Sequence, residues 1–149
     1  MVTTASGADL FSLRDKTVLV AGGTRGIGQA ISLRFARAGA TVIANYLRNE
    51  QAAQHLKEIA AEERLAISLC RADLTSEKRL EQLDHSLQEW GPHLSGLVYC
   101  AATGIHRPIE ELTERHFDWT FSLNVRAFFK LIKLTKARFS RYDFTANDK

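Results

Sequence analysis

The stretch Val18–Ala40, VLVAGGTRGIGQAISLRFARAGA, contains the signals that decide the fold. An apolar, β-branched run breaks into glycines, and apolar residues at helical spacing follow at once. The run predicts a buried strand over Thr17–Ala21. The stripe of Ile27, Ile31, Phe35 and Ala38 predicts a helix that Gly39 ends. A strand that passes through a glycine turn into a helix is the context that a dinucleotide-binding fingerprint requires.

The same alternation continues along the chain. Further strands are predicted over Thr41–Ala44, Leu65–Cys70 and Leu97–Ala101. Apolar stripes predict a second helix, with Asn49 as its N-cap, a third closed by Gly91-Pro92, and a long fourth one over Phe117–Ile132. Strands that are apolar throughout and joined by helices predict an α/β fold: a doubly wound parallel sheet, Rossmann-like, truncated after four strands and four helices.

Composition bounds the classes of protein that need to be considered. The 149 residues correspond to about one domain. A net charge of +3 is too small to indicate nucleic acid as a partner. The sequence shows neither a signal peptide nor an apolar run of membrane-spanning length, so we expect a cytoplasmic protein with no membrane partner. Cys70, Cys100 and the five scattered histidines lack metal-ligand spacing, so no metal site is predicted.

The glycine turn Gly22–Gly28 has the spacing Gly-x-x-x-Gly-x-Gly. Gly22 can turn without a Cβ clash, Gly26 lets the backbone approach a pyrophosphate, and Gly28 lets the helix pack close to the sheet. Unpaired N–H groups and the helix dipole would then face the anion. A tight turn that merely needs glycine is the alternative.

The end of the second strand indicates which dinucleotide would bind. An NAD site usually places a carboxylate there for the ribose 2′-hydroxyl, but Ala44–Arg48 reads ANYLR and the first carboxylate is Glu50. Arg48 and Arg25 suit a 2′-phosphate dianion, which favours NADP(H) over NAD(H). The alternative is that both arginines are solvated surface residues.

These motifs resemble the short-chain dehydrogenase/reductase family over about Asp15 to Phe139. Ala21 stands where the family has Thr before the glycines. The resemblance implies that Asp73, in Ala72–Leu74, holds the adenine ring, although Asp73 could instead cap a helix. Tyr99–Ala102 (YCAA) departs from the family's Asn-Asn-Ala-Gly, while Ala101 still permits close approach to a ribose.

Asn124 lies on the apolar stripe of the fourth helix, where an unbonded polar side chain is costly. The resemblance implies a catalytic role, in which this Asn bends the helix and orders water near a catalytic lysine. A helix-face Asn with a local backbone partner is the alternative. The cofactor-binding residues predicted by turn, spacing and resemblance together are Gly22, Thr24, Arg25, Gly26, Ile27, Gly28, Tyr46, Arg48, Asp73, Leu74, Cys100, Ala101 and Ala102.

A longer string is similar to the NADPH-dependent enoyl-acyl-carrier-protein reductases of the third type. It comprises Ala101–Pro108, Glu111–Thr113 and His116–Thr120. The resemblance implies an acyl-thioester or carbonyl substrate and hydride transfer from a nicotinamide.

The family's catalytic Tyr is followed four residues later by Lys, and this chain has no such pair. The positions four residues after its tyrosines hold Glu50, Thr103 and Ala146. We therefore expect no turnover from the 149-residue chain, and a binding module or a truncated gene product stay open as alternatives.

The predicted domain organisation is a flexible tail over 1–14, a partial dinucleotide-binding domain over 15–139 and an irregular tail over 140–149. The last ten residues carry no strand pattern, so the fourth strand would be an open apolar edge. Such an edge predicts homo-oligomerisation or aggregation.

Overall fold

The computed structural model describes residues 11–90 and 93–139. The strands are β1 (Thr17–Ala21), β2 (Thr41–Tyr46), β3 (Ile67–Arg71) and β4 (Gly96–Tyr99). The helices between them are α1 (Gly26–Arg37), α2 (Glu50–Glu62) and α3 (Glu77–Trp90). After β4 come a 3₁₀ turn, α4 (Glu114–Phe121), a π turn (Ser122–Ala127), α5 (Phe128–Thr135) and a second 3₁₀ turn; the 3₁₀ turns are Ile109–Glu111 and Lys136–Arg138.

The four described strands form one parallel sheet in the order β3-β2-β1-β4. Thr17 lies beside Thr41, Val42 beside Ile67, and Val18 beside Gly96. The chain moves outward from β1 to β3 and then returns to the other side of β1. This reversal creates a crevice at the carboxyl ends of the strands. The predicted Rossmann-like fold with four strands is confirmed.

Alternate residues of β1 enter two different core clusters, because successive side chains of a strand point to opposite faces. Leu19 packs in one cluster with Leu83 and Leu87 of α3 and Leu131 of α5. Val18 and Val20 pack in the other, which includes Ala36 and Phe35 of α1. Helices therefore cover both faces of the sheet, which is why its central strands are apolar throughout.

Several predicted boundaries were wrong by one or two residues. Leu65 does not begin β3: its N–H donates to the Ala60 carbonyl at 2.8 Å and closes the end of α2, with Arg64 in the left-handed region. β4 ends at Tyr99, and Cys100 makes the last ladder bond, to Ala21. Asn49 caps α2 as predicted, since its side chain accepts from Ala52 N–H at 2.9 Å.

The predicted long fourth helix is present as an unbroken helical segment, but it is not α-helical throughout. A π turn over Ser122–Ala127 separates α4 from α5, and such turns often occur at functional sites. At the other end of the described chain, Leu13 N–H donates to Ala38 and its side chain joins the core, ahead of the predicted boundary at 15. The predicted domain bounds stay predictions. The predictions for residues 1–10, Gly91-Pro92 and 140–149 concern positions outside the described residues.

Candidate functional site

A cleft of about 880 Å³ opens at the carboxyl ends of the strands, where topology places the crevice. All thirteen residues predicted to bind a cofactor line it. The cleft is lined by further residues that were not predicted to bind a cofactor: Asn45, Leu47, Asn49, Ala72, Thr75, Thr103, Trp119 and Leu123. Asn124 is not among the lining residues. No cluster of three metal-ligating side chains occurs within residues 11–90 and 93–139.

The glycine turn is held by contacts that leave no room for side chains. Gly22 has a φ of +73°, and a Cβ there would lie 2.7 Å from the backbone nitrogen of Ala101. A Cβ on Gly28 would overlap the Gly22 carbonyl oxygen, so Gly28 lets the helix approach the turn itself. The buried Ser32 hydroxyl donates to the Gly23 carbonyl at 2.9 Å and fixes the turn from below. These contacts require glycine at positions 22 and 28 for packing alone, so they agree equally with the alternative of a tight turn that binds no phosphate.

Gly26, unlike Gly22 and Gly28, is not packed against other backbone atoms, and the open space beside it favours an anion site. Its φ of +53° favours glycine, and a Cβ there would meet no atom within 4 Å, so the space beside this backbone is open to the cleft. Arg25, at the N-cap of α1, has extended backbone and makes no capping side-chain bond. The first turn of α1 contains no acidic residue. The N–H groups of this helix end therefore face the cleft with a favourable dipole, and the residues present fit a pyrophosphate.

At the end of β2, charged side chains divide into two groups. Tyr46 donates its hydroxyl to Glu50 at 2.8 Å, and Arg71 approaches the other Glu50 oxygen at 3.4 Å. Burial and this bond to Glu50 raise the pKa of Tyr46. Arg25 and Arg48 line the cleft, and neither forms an ion pair with a carboxylate in the described part of the chain. Two unpaired guanidiniums thus border the cleft near the β2 end.

A buried amide joins the ends of β2 and β3. The side chain of Asn45 is only 2% exposed, and its amide donates to the carbonyls of Cys70 at 3.2 Å and Ala72 at 3.1 Å. The sequence analysis missed this residue. A polar residue inside an otherwise apolar run was the available signal, because a buried amide needs partners. Asn45 holds the segment after β3 where it borders the cleft.

Asp73 forms a local turn and does not cap α3. One carboxylate oxygen accepts from the Thr75 N–H at 2.9 Å and from the Thr75 hydroxyl at 2.7 Å. The hydroxyl of Ser76, directly before α3, accepts from Arg79 N–H at 3.4 Å. The helix-cap alternative for Asp73 was therefore wrong. Its place in the cleft wall leaves its interpretation as an adenine-binding residue a prediction.

Asn124 ties the π turn to the loop that follows β4. Its Nδ2 donates to the Thr103 carbonyl and its Oδ1 accepts from the Thr103 N–H, both at 2.9 Å. The partner is backbone but 21 residues away, so the alternative of a local partner was wrong. Thr103 lines the cleft, and Asn124 therefore shapes the cleft through Thr103. Its predicted catalytic role stays a prediction.

Tyr99 stands where the resemblance expects an asparagine, and it also bonds to the π turn. Its hydroxyl donates to the Leu123 carbonyl at 2.6 Å, and its ring lies 4.9 Å from that of Phe128. Burial raises the pKa of Tyr99 to about 12. The neighbouring Cys100 is a half-buried free thiol. The Tyr99–Leu123 bond and the Asn124–Thr103 bonds therefore both shape this wall of the cleft.

Trp119 and Leu123 form a part of the cleft wall, although the sequence pattern placed them only within the predicted fourth helix and assigned them no site role. They are four residues apart, so they share one side of the helix. The Trp119 side chain is 45% exposed although it is apolar. Both residues lie off the apolar stripe on which the helix was predicted, and helix periodicity alone does not show which residues off the stripe face a ligand.

A family model described as short chain dehydrogenase matches residues 16–141. The chain is 39% identical over 120 residues to hydroxynaphthalene reductase-like protein Arp2 of Metarhizium majus, across 79% of this chain and 44% of that protein. It thus spans less than half the length of that curated relative.

Among solved structures, a dehydrogenase/reductase from Sinorhizobium meliloti superposes with a TM-score of 0.82 at 32% identity, over 89% of this chain and 52% of that one. A Pseudomonas aeruginosa RhlG/NADP active-site complex superposes with a TM-score of 0.78 at 30% identity, over 86% and 49%.

Proposed function

Because the chain belongs to the short-chain dehydrogenase family, we propose that it forms the cofactor-binding part of an NADP(H)-dependent oxidoreductase. The observation that carries this proposal is the N-terminus of α1, which has no side-chain cap and no acidic residue in its first turn. Beside it, the open space at Gly26 would admit a pyrophosphate. Gly22–Gly28 would bind the two bridging phosphates through backbone N–H groups.

The proposed preference for NADP(H) rests on charge. Arg25 and Arg48 border the cleft without a described ion pair, whereas Glu50 is bonded to Tyr46 and Arg71. With Glu50 engaged, the described residues at the end of β2 offer no free carboxylate that would repel a 2′-phosphate. The similarity to an NADP complex of RhlG agrees with this preference.

The proposed reaction is hydride transfer to a carbonyl or enoyl carbon, with the hydride supplied by the nicotinamide when it is bound. The name of the Metarhizium relative, a hydroxynaphthalene reductase-like protein, supports a hydroxylated aromatic substrate, and an acyl thioester is the substrate that the motif resemblance favours. In this chain, Asn124 would hold the Thr103 loop that borders the cleft. A cytoplasmic location also stays a prediction; within the described residues, no helix is long and apolar enough to cross a membrane.

Calorimetric titration of the 149-residue chain with NADP⁺ and with NAD⁺ tests the proposal. We expect NADP⁺ to bind at least about tenfold more tightly, since each charge-assisted phosphate contact contributes roughly 1.5–3 kcal/mol. Arg48→Ala should remove most of this difference. Arg34→Ala, which changes an exposed arginine outside the cleft, is the matched control and should leave it intact. Equal affinity for both nucleotides would contradict the NADP(H) assignment.

The chain alone is proposed to be inactive, since it lacks a Tyr followed four residues later by Lys. NADPH oxidation with a 3-oxoacyl or enoyl thioester, followed at 340 nm in the purified chain, should not exceed the background rate. Turnover that Asn124→Ala abolishes would overturn this prediction.

A second candidate function is association through β4. This strand pairs with β1 on one side only among the described strands, and all four of its residues are half-buried. An unpaired parallel edge is a template for another strand. Sedimentation equilibrium should then give a defined dimer with rising concentration, whereas a monomer at all concentrations would rule this out.

A further inference from the structure

Arg71 and Glu50 form an ion pair beside the cleft, and the proposed function gives Arg71 no direct contact with a cofactor. We propose that Arg71 is a positioning residue that sets the preference for a 2′-phosphorylated dinucleotide: it engages the Glu50 carboxylate and anchors the turn that carries Arg48. This inference rests on the proposed function and deepens it.

The first step concerns the position of Glu50. It is the first carboxylate after β2 and the first residue of α2. A free carboxylate at the end of the second strand accepts from a ribose 2′-hydroxyl and repels a 2′-phosphate. Glu50 therefore has the charge, and nearly the position, that would favour NAD(H).

The second step is that Glu50 is held out of the cleft. Tyr46 donates to one of its oxygens at 2.8 Å and Arg71 approaches the other at 3.4 Å, so both oxygens have partners. Of the residues from Tyr46 to Glu50, the first four line the cleft and Glu50 does not. The ion pair also offsets the charge of the carboxylate.

The third step concerns the turn that follows β2. Arg71 ends β3 and lies in register beside Tyr46 in the sheet. Its Nε donates to the Leu47 carbonyl at 3.1 Å, directly before Arg48. The Arg71 guanidinium therefore pairs with the Glu50 carboxylate, which would repel a 2′-phosphate, and also fixes the backbone beside Arg48, which would attract it.

The Arg71–Glu50 pair should affect nucleotide preference more than the free energy of unfolding. The Arg71 and Glu50 side chains are 63% and 67% exposed, and exposed ion pairs contribute little to folding. Loss of the pair should therefore change nucleotide preference without unfolding the chain. Arg37 and Glu63 form a comparable exposed pair, at 2.6 Å, between α1 and the end of α2, and provide the matched control.

The experiment measures the ratio of the NADP⁺ and NAD⁺ dissociation constants by calorimetry for the 149-residue chain and three variants. Arg71→Gln should shift the ratio toward NAD⁺ by about threefold to tenfold, because the Glu50 carboxylate then loses its cationic partner. The double variant Arg71→Gln/Glu50→Gln should return the ratio to within about twofold of the unsubstituted chain. Arg37→Gln should leave it unchanged. Thermal unfolding confirms that each variant is folded.

Each other outcome overturns the inference. An unchanged ratio in Arg71→Gln, or equal weakening of both nucleotides, would limit Arg71 to a structural role. A shift that the double variant does not reverse would mean that Arg71 does not act through the charge of Glu50. Failure of the unsubstituted chain to bind either nucleotide would refute the proposed function itself, and the inference with it, and is thus distinguishable from these results.

Discussion

The cleft has two ends that are built in different ways. At the β2 end, the strand is paired on both sides and its central four residues are buried. The glycine turn after the adjacent β1 closes through backbone contacts within Gly22–Gly28 and is tied to this end by Asn45, whose carbonyl accepts from Gly23 N–H at 2.9 Å. At the β4 end, the strand has one described neighbour and is half-buried throughout.

The helices show the same contrast. α1, α2 and α3 each bury three residues, whereas α4 buries none. Phe117 and Phe121 of α4 stack on each other at 4.3 Å while both remain exposed. The β4 end is therefore shaped by a few long-range side-chain bonds, and we expect substitutions there to have smaller, separable effects than at the glycine turn.

The largest expected effect is that of Gly28→Ala. The new Cβ would overlap the Gly22 carbonyl oxygen, and neither backbone segment can move without disturbing β1 or α1. We expect a loss of roughly 3 kcal/mol in the free energy of unfolding, at the upper end of overpacking. Urea denaturation measures it.

Gly104→Ala is the matched control for this prediction. A Cβ on Gly104 meets no atom within 4 Å, and this glycine follows β4. The free energy of unfolding of the Gly104→Ala variant should differ from that of the unsubstituted chain by less than about 0.5 kcal/mol. Equal losses for the two variants would mean that the two ends of the cleft are not built differently.

The next effect is that of Asn124→Ala, at the β4 end. Both bonds to Thr103 are lost, and the N–H and carbonyl of Thr103 lose their partners. We expect a loss of roughly 2 kcal/mol by urea denaturation, since groups left unsatisfied cost about 1–3 kcal/mol. Amide exchange at Thr103 should accelerate. Ser122→Ala, in the same π turn, should leave that exchange unchanged; acceleration in both variants would assign the effect to the helix rather than to Asn124.

The fold and many of the residues that line the cleft could be predicted because their signals are local. A glycine turn between a strand and a helix constrains a few consecutive residues, and all thirteen predicted cofactor residues line the cleft. The bonds of Tyr99 to Leu123 and of Arg71 to Glu50 could not be predicted. They join residues 24 and 21 positions apart in sequence, and only the folded sheet brings them together.

Tyr99→Phe should have a smaller effect than Asn124→Ala. It removes the bond to Leu123 but keeps the ring against Phe128, so we expect a loss of about 1 kcal/mol. The pKa of Tyr99 is about 12 in the folded chain against an ordinary value of 10.0, so the folded state holds this proton more tightly. Its contribution to stability is complete below pH 10 and is lost as the pH rises toward 12.

Denaturation midpoints measured between pH 9 and pH 12 check this behaviour. The unsubstituted chain should lose stability more steeply over this window than Tyr99→Phe, since the phenylalanine cannot ionise. Parallel curves would show that the Tyr99 hydroxyl is not the group that titrates.

The smallest effect on stability, and the sharpest test of how the two ends cooperate, is that of Trp119→Phe. Trp119 lines the cleft from α4, whereas Trp90, the other tryptophan, ends α3 outside the cleft, and both are about equally exposed at 45% and 42%. If a dinucleotide held by the glycine turn also reaches the β4 end, NADP⁺ should quench the fluorescence of Trp90→Phe, in which only Trp119 remains. The same addition should leave Trp119→Phe almost unchanged, and unfolding free energies should stay within about 0.5 kcal/mol. Equal quenching in both variants would mean that the bound nucleotide does not lie closer to Trp119 than to Trp90.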